Sequence, residues 1–554
     1  MLAIIRKGWY NCQQQALQYV DVERRDRISQ EPRDSANTSL TAVTTAEVQS
    51  DPEASAPSTV TKKAATRYKV WGGRIFRFNL QNFRPNAGFS IRRFSIVEAA
   101  LLLMLALLTS RGLGVVRQVI FNAIFGTGPE ANAYYAAFQL PDTLFNLIAG
   151  GALSHAFIPV FLSYEKNKGQ YEAWRLTSLV FNVLLVVLAI ATIVGEFLTP
   201  AFVSHLLVPG YSASEQALTT ELTRIMLLQP LILGLGTIAT AILNSKRQFL
   251  LPALSIAVYN FGLIGGLLVT KFVPEVGIYG PTYGILVAVL LTVLVQFPGI
   301  IKQGVRYSFV WDLRNPGLWD VMRLLGPNTL ALGIAYIGFI VNTAFTSYLP
   351  DPASLAALHN ALLLQGLPAA LISQAIGQAI LPHLSLQAAA GQYTRLYQTS
   401  LKVMGVSILL TIPAAIVLIF LGKPAIHILF EHGAFDKHSS DLTNLALMGF
   451  AIALPGMSAG DLISRGFYAL KDARTPLFTN IFSLVSRYGL IVLLLNIMNG
   501  PFVILAIPLA LAGSTTAEAL LLGLILLWQL KKKMKTDKGM LRLLRRRLYK
   551  NTIA

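Results

Sequence analysis

The chain is 554 residues long, 54% hydrophobic and only 13% charged, with a mean hydropathy of +0.56. A soluble globular chain has about a quarter of its residues charged, so this composition excludes a soluble enzyme, a disordered chain and a fibrous protein. A net charge of +19 suits either nucleic acid or an anionic membrane surface, and the placement of the charges decides between them. The single cysteine, Cys12, excludes a disulfide framework, a cysteine-based zinc site and an iron–sulfur cluster.

The stretch up to Phe94 is polar and holds 15 of the 46 lysines and arginines. It includes a Ser/Thr/Ala/Glu-rich run from Ile28 to Ala65 with few large apolar residues. Residues 1–90 are therefore expected to be a disordered basic cytoplasmic extension. The basic pair Arg6 and Lys7 is not followed by an apolar stretch of signal-peptide length, so no cleaved signal is expected.

From Phe94 onward twelve stretches are long enough to cross a bilayer: about 94–124, 131–163, 174–198, 217–243, 250–271, 278–300, 319–348, 353–386, 396–421, 440–470, 476–497 and 502–530. The reading is an all-α polytopic membrane protein. Alternate loops differ in charge. Five carry 14 basic residues, among them Lys166, Lys246, Arg247, Arg314, Arg395, Lys471 and Arg474, while the other six carry only Lys271, Lys423 and Lys437. The positive-inside rule puts the basic loops and both termini in the cytoplasm. The run Lys531–Lys550 adds 10 more basic residues, read as a topology anchor on anionic lipid and not as a nucleic-acid site.

Four arginines remain inside spans: Arg111, Arg117, Arg224 and Arg487. A charge at a helix centre costs about 2.5–3.5 kcal/mol on insertion scales, so each needs a cavity or a partner. Arg224 is expected to pair with Glu221 on the same helix face. Arg487 has no evident partner. Arg111 and Arg117 are separated by about 9 Å of helical rise and roughly 120° of rotation, so one faces a cavity while the other braces a neighbouring helix. They are the leading functional candidates.

The chain also repeats itself. Ala152–Pro159 resembles Ala375–Pro382 at an offset of 223. Gly169-Gln-Tyr171 recurs as Gly391-Gln-Tyr393 at 222, and the basic turns before Pro252 and Pro476 recur at 224. Three matches near one offset indicate two six-span lobes in parallel orientation, 91–305 and 306–531, followed by a basic tail, 532–554. Such lobes enclose a cavity and transport by rocking about it. No Walker loop, HExxH or GxSxG motif is present, so no enzyme and no cofactor is expected, and the energy must come from an ion gradient, the membrane potential or the substrate's own gradient. His427, His432 and His438 gather near one loop and are read as solvated residues in preference to a metal or proton site.

Several motifs together resemble the MurJ (MviN) family of lipid II flippases, of the same superfamily as the multidrug (MATE) exporters. They are Ser110-Arg-Gly-Leu-Gly-Val-Val-Arg117, Ala133-Tyr-Tyr-Ala-Ala-Phe-Gln-Leu-Pro141, Gly151–Pro159, Gly326-Pro327, Asn342-Thr343, and Gly466-Phe-Tyr468 followed by Lys471-Asp-Ala-Arg-Thr-Pro476. The resemblance spans about 94–535. It implies a MATE-like fold of two six-helix lobes in the bacterial plasma membrane. It also implies a task in peptidoglycan synthesis, moving undecaprenyl-pyrophosphate-linked precursor from the inner to the outer leaflet. Lipid II or a related lipid-linked oligosaccharide, membrane lipids and cell-wall synthesis proteins are the implied partners. Arg111 and Arg117 match the family's two functional arginines of the first helix, and Asn132 and Asn146 are carried as neutral substrate-binding candidates, with Gln139 and His155 as further cavity-lining ones.

The departures from the family pattern are specific. Phe145 and Asn146 stand where the second helix carries arginine, and Gly150 and Asn132 where it carries acidic residues. Leu362 and Leu363 stand where the eighth helix carries an Asp-Arg pair. The family also has two further helices forming a lipid-tail groove. An exporter of another lipid-linked glycan or small molecule, or a scaffold without transport, remains the alternative reading.

Overall fold

The computed structural model describes residues 96–551, so the expected N-terminal extension lies outside the described residues. Among the described residues every regular element is helical. In chain order they are α1 (Ile96–Phe125), α2 (Pro129–Ile148), α3 (Gly151–Lys168), α4 (Gln170–Phe202), α5 (Ala213–Met226), α6 (Gln229–Ser245), α7 (Leu250–Phe272), α8 (Tyr279–Lys302), α9 (Pro316–Thr346), α10 (Ser354–Ala369), α11 (Ala375–Ala389), α12 (Tyr393–Phe430), α13 (Lys437–Ala469), α14 (Arg474–Ile497) and α15 (Ala506–Asn551). The polytopic reading holds. α15 continues unbroken through the basic run that was expected to form a separate tail.

Ten segments among the described residues are long and apolar enough to cross a membrane, against the twelve expected. At the seventh expected position α9 is one continuous helix, with Leu332–Thr346 as an apolar stretch among the described residues. α1, at the first expected position, is a 30-residue helix. The outward surface is apolar: Phe197, Phe272 and Phe420 are 81%, 78% and 74% exposed, which suits lipid and not water.

The repeat is visible in the backbone. Arg247 and Lys471 adopt the left-handed conformation at φ 59° and 60°, alone among the described non-glycine residues. Each closes the same helix end: Gln248 N–H donates to Leu243 C=O, and Asp472 N–H to Phe467 C=O, both at 2.9 Å. These are six-to-one Schellman bonds, which satisfy carbonyls the helix leaves open. The corresponding spans are also broken alike. α2 and α3 separate at Ala149–Gly150, and α10 and α11 at a π-helical turn, Ala370–Gln374, one repeat later. Pro141 and Pro159 lie inside α2 and α3, and Pro368 and Pro382 inside α10 and α11, flanking those breaks.

Helices α1–α8 pack largely on one another, as do α10–α15. Within the first bundle α7 and α8 meet through Gly262, Gly266, Gly280 and Gly284, spaced as two small-xxx-small pairs. A Cβ at Gly262 would fall 2.4 Å from the Ala288 Cα. Helix α9 runs between the bundles, along α2 and α3. Leu318, Val321 and Leu325 of α9 join Phe157, Phe161 and Trp174 in one buried cluster.

Away from the basic loops the two bundles are joined by polar contacts. Thr127 and Ser439 hydroxyls meet at 2.7 Å. The Ala434 amide donates to the Ala123 carbonyl at 2.9 Å. Deeper in, Gln118 Nε2 lies against Asn360 Oδ1 at 2.8 Å and Asn122 Oδ1 at 3.0 Å, and Asn122 Nδ2 donates to Asn360 Oδ1 at 3.0 Å. All three amides are buried.

Candidate functional site

The seam between the bundles opens into a cavity of about 410 Å³. Its floor is α1, which contributes Ser110, Arg111, Gly114 and Arg117. Helix α7 adds Ser255, Tyr259 and Asn260, α8 adds Thr292, and α10 supplies an apolar wall of Leu363 and Leu367. Asn260 Nδ2 donates to Ser110 Oγ at 3.0 Å, fixing α1 against α7. Gly114 brings the α1 backbone close to that asparagine.

Neither Arg111 nor Arg117 forms an ion pair or hydrogen bond with any described residue. The other arginines at membrane depth are partnered. Arg224 reaches Glu196 of α4 at 3.8 Å, not Glu221 as expected, because α5 packs against α4 and turns the arginine toward it. Arg487, expected to lack a partner, donates to Ser514 at 3.4 Å and faces Glu518 one turn along α15. Arg465 pairs with Asp461 at 3.2 Å. Two free guanidiniums in a walled cavity are thus a local exception. They present paired donors with the fork geometry that suits phosphate oxygens. Within electrostatic reach of Arg117, His359 of α10 stacks on Tyr135 with ring centroids 4.0 Å apart.

The two asparagines expected beside the arginines do not line this cavity. Asn132 is 1% exposed and its amide is fully occupied. It donates to the Thr127 and Pro352 carbonyls and accepts the Ala356 amide at 2.7 Å, which makes it a strut joining α2 to the start of α10. Asn146 donates to the Asp142 carboxylate and carbonyl, both at 2.9 Å. Gln139 donates to Thr343 of α9, and His155 is exposed on α3 away from the cavity lining. The short amide side chains cap nearby backbone or acids instead of reaching the arginines. Sequence reasoning missed Tyr259 and Asn260, which read as ordinary interior residues of an apolar span, and it passed over Asp142. An acid inside an apolar stretch was the available signal.

The loop histidines do not converge. His427 pairs with Glu431 at 2.9 Å, His438 with Asp351 at 2.7 Å, and His432 meets the Ile428 carbonyl at 3.0 Å. The His427 ring and the Ser440 hydroxyl hold the Glu431 carboxyl below the usual range. No group of metal-ligating side chains occurs among the described residues.

Two broken-helix bundles around a seam cavity define a transporter of the MATE-like fold. An inward-facing multidrug MATE transporter superposes with a TM-score of 0.66 over 79% of this chain and 99% of that one, at 15% identity. The family model of the lipid II flippase MurJ matches residues 121–552, and the chain belongs to that family. Lipid II flippase MurJ of Burkholderia cenocepacia is 30% identical over 378 residues, 67% of this chain and 72% of that protein. A probable lipid II flippase MurJ of Rhizobium meliloti is 28% identical over 436 residues, covering 76% and 79%. A solved structure of lipid II flippase MurJ in an inward closed conformation matches with a TM-score of 0.65, at 25% identity, over 78% of this chain and 87% of that one.

Proposed function

We propose that the chain is a lipid II flippase that carries an undecaprenyl-pyrophosphate-linked peptidoglycan precursor across the bacterial plasma membrane, with Arg111 and Arg117 holding the pyrophosphate. The observation that carries this reading is the pair of unpartnered guanidiniums in the seam cavity. A pyrophosphate does not cross hydrocarbon bare, and arginine replaces its hydration with charge-assisted bonds. Both termini lie in the cytoplasm on this reading, since the basic loops mark that side. The membrane potential or an ion gradient drives the cycle, and cell-wall synthesis proteins supply and receive the lipid. Asn132 and Asn146 act on the site indirectly, Asn132 through the closed seam and Asn146 through Asp142.

The test is rescue. The native lipid II flippase of a bacterium is depleted while this chain, or its Arg117→Ala variant, is expressed. Growth with the chain and not with the variant supports the reading. Failure of the chain to support growth, with the protein shown in the membrane, counts against lipid II and favours another exported lipid-linked glycan.

A further inference from the structure

Asp142 stands on α2 inside the seam, and no lysine, arginine or histidine pairs with it among the described residues. Its carboxylate is held by neutral donors: Asn146 Nδ2 at 2.9 Å on one oxygen and the Tyr336 hydroxyl of α9 at 3.4 Å on the other. The Tyr336 contact is one of three. Thr329, Tyr336 and Thr343 recur every seven residues along one stripe of α9. They meet, in antiparallel order, the Leu147 carbonyl, Asp142 and Gln139 of α2. Among these six residues only Asp142 is an acid. Tyr259 of α7, which lines the cavity, lies within electrostatic reach of both Asp142 and Arg117. The remaining helices packed on α2 add little charge there. α6 contains no titratable residue. The Arg224 of α5 and Glu196 of α4 are spent on each other, α3 holds His155 exposed, and α10 holds His359 against Tyr135.

We propose, building on the cavity reading above, that Asp142 is a proton-binding site coupled to occupancy of the arginine cavity. It takes one proton from water as an anionic diphosphate head group binds, and returns it when the head group leaves. The cause is electrostatic. A carboxylate and a diphosphate oppose one another across a low-dielectric seam, and a proton on the carboxylate removes that repulsion. Linkage makes the effect reciprocal, so the bound anion favours the proton as much as the proton favours the anion. Tyr336 passes the change to α9. An ionised Asp142 accepts the tyrosine hydroxyl, whereas a neutral carboxyl carries a donor of its own, and the contact that ties α9 to α2 is rewritten when the cavity fills.

The full chain in nanodiscs, titrated calorimetrically with farnesyl pyrophosphate in buffers of different ionisation enthalpy, counts the protons taken up per molecule bound. Between about pH 6 and 8 the wild type is expected to take up a proton beyond that of the probe itself, with affinity falling by up to roughly tenfold per pH unit. Asp142→Asn loses this extra uptake and its pH dependence; Asp142→Ser serves the same end should the asparagine variant not fold. Tyr336→Phe, which keeps the carboxylate, retains the uptake. Equal uptake in wild type and Asp142→Asn overturns the proposal while loss of binding in Arg117→Ala leaves the cavity reading standing. Binding indifferent to Arg117→Ala overturns both.

Discussion

Ala123 and Ala434, 311 positions apart, are joined through their backbones: the Ala434 amide donates to the Ala123 carbonyl at 2.9 Å and ties the two bundles together away from the basic loops. Gly126 and Gly433, at φ +59° and +63°, bring the two turns this close. A Cβ at Gly433 would lie 2.2 Å from the Ala123 oxygen, and one at Gly126 2.4 Å from the Ala434 oxygen.

Gly433→Ala should therefore force this seam apart. The left-handed backbone alone costs about 1–2 kcal/mol for a residue with a Cβ, before the clash. The measurement is the labelling rate of a cysteine placed at Thr127, with Cys12 replaced by serine. The rate should rise in the Gly433→Ala chain, and an unchanged rate would show that the turn adapts without opening.

Asn360→Leu should weaken the same closure from within. It removes the acceptor that Gln118 and Asn122 share; Gln118 keeps the Asn122 and Tyr135 oxygens, but the buried Asn122 Nδ2 loses its acceptor, a loss of about 1–3 kcal/mol. Thermal unfolding in detergent should shift down. Asn360→Asp, which restores an acceptor, should recover less than full stability because it buries a charge.

Leu363→Arg should tighten the cavity's hold on a diphosphate. Leu363 lies on the apolar wall opposite the two arginines, at the position where the family resemblance places a charged pair. A third guanidinium in reach of the same phosphate adds a charge-assisted contact, worth about 1.5–3 kcal/mol, or roughly tenfold or more in affinity for farnesyl pyrophosphate. Unchanged affinity would mean that the ligand sits nearer α7 than α10.

Asp436 caps α13: its carboxylate accepts the Ser439 amide at 2.8 Å and hydroxyl at 2.7 Å. Those bonds hold its carboxyl below the usual range. A depressed acid contributes stability above its unfolded pKa, and that contribution is lost as pH falls through the folded value. Asp436→Ala should cost about 1 kcal/mol near neutrality, with the gap to wild type closing in acid, read from melting temperature against pH.

Much of the fold was legible because lipid demands long apolar helices, and because the two halves share short motifs near one offset. The Arg247 and Lys471 turns lie at that offset. The two arginines of α1 were legible for the same reason, since charges inside an apolar run stand out. What failed was partner choice. Arg224 lies three residues from Glu221, yet it is turned toward Glu196 by the packing of α5 on α4. Asn132 and Asn146 are polar residues in spans, but whether such a residue faces a cavity, a backbone carbonyl or a neighbouring acid depends on side-chain direction between helices, which spacing along one helix does not fix.

The lone guanidiniums of α1 also bear on how the protein is made. A helix that leaves the translocon with two uncompensated charges is poorly held by lipid, because neither Arg111 nor Arg117 brings a counter-ion along. Shelter arrives only when α7, α8 and α10 have been synthesised and close the cavity around them. α1, made before those helices, is then among the last to settle, and its dependence on later helices is set by the same two side chains that the cavity needs free.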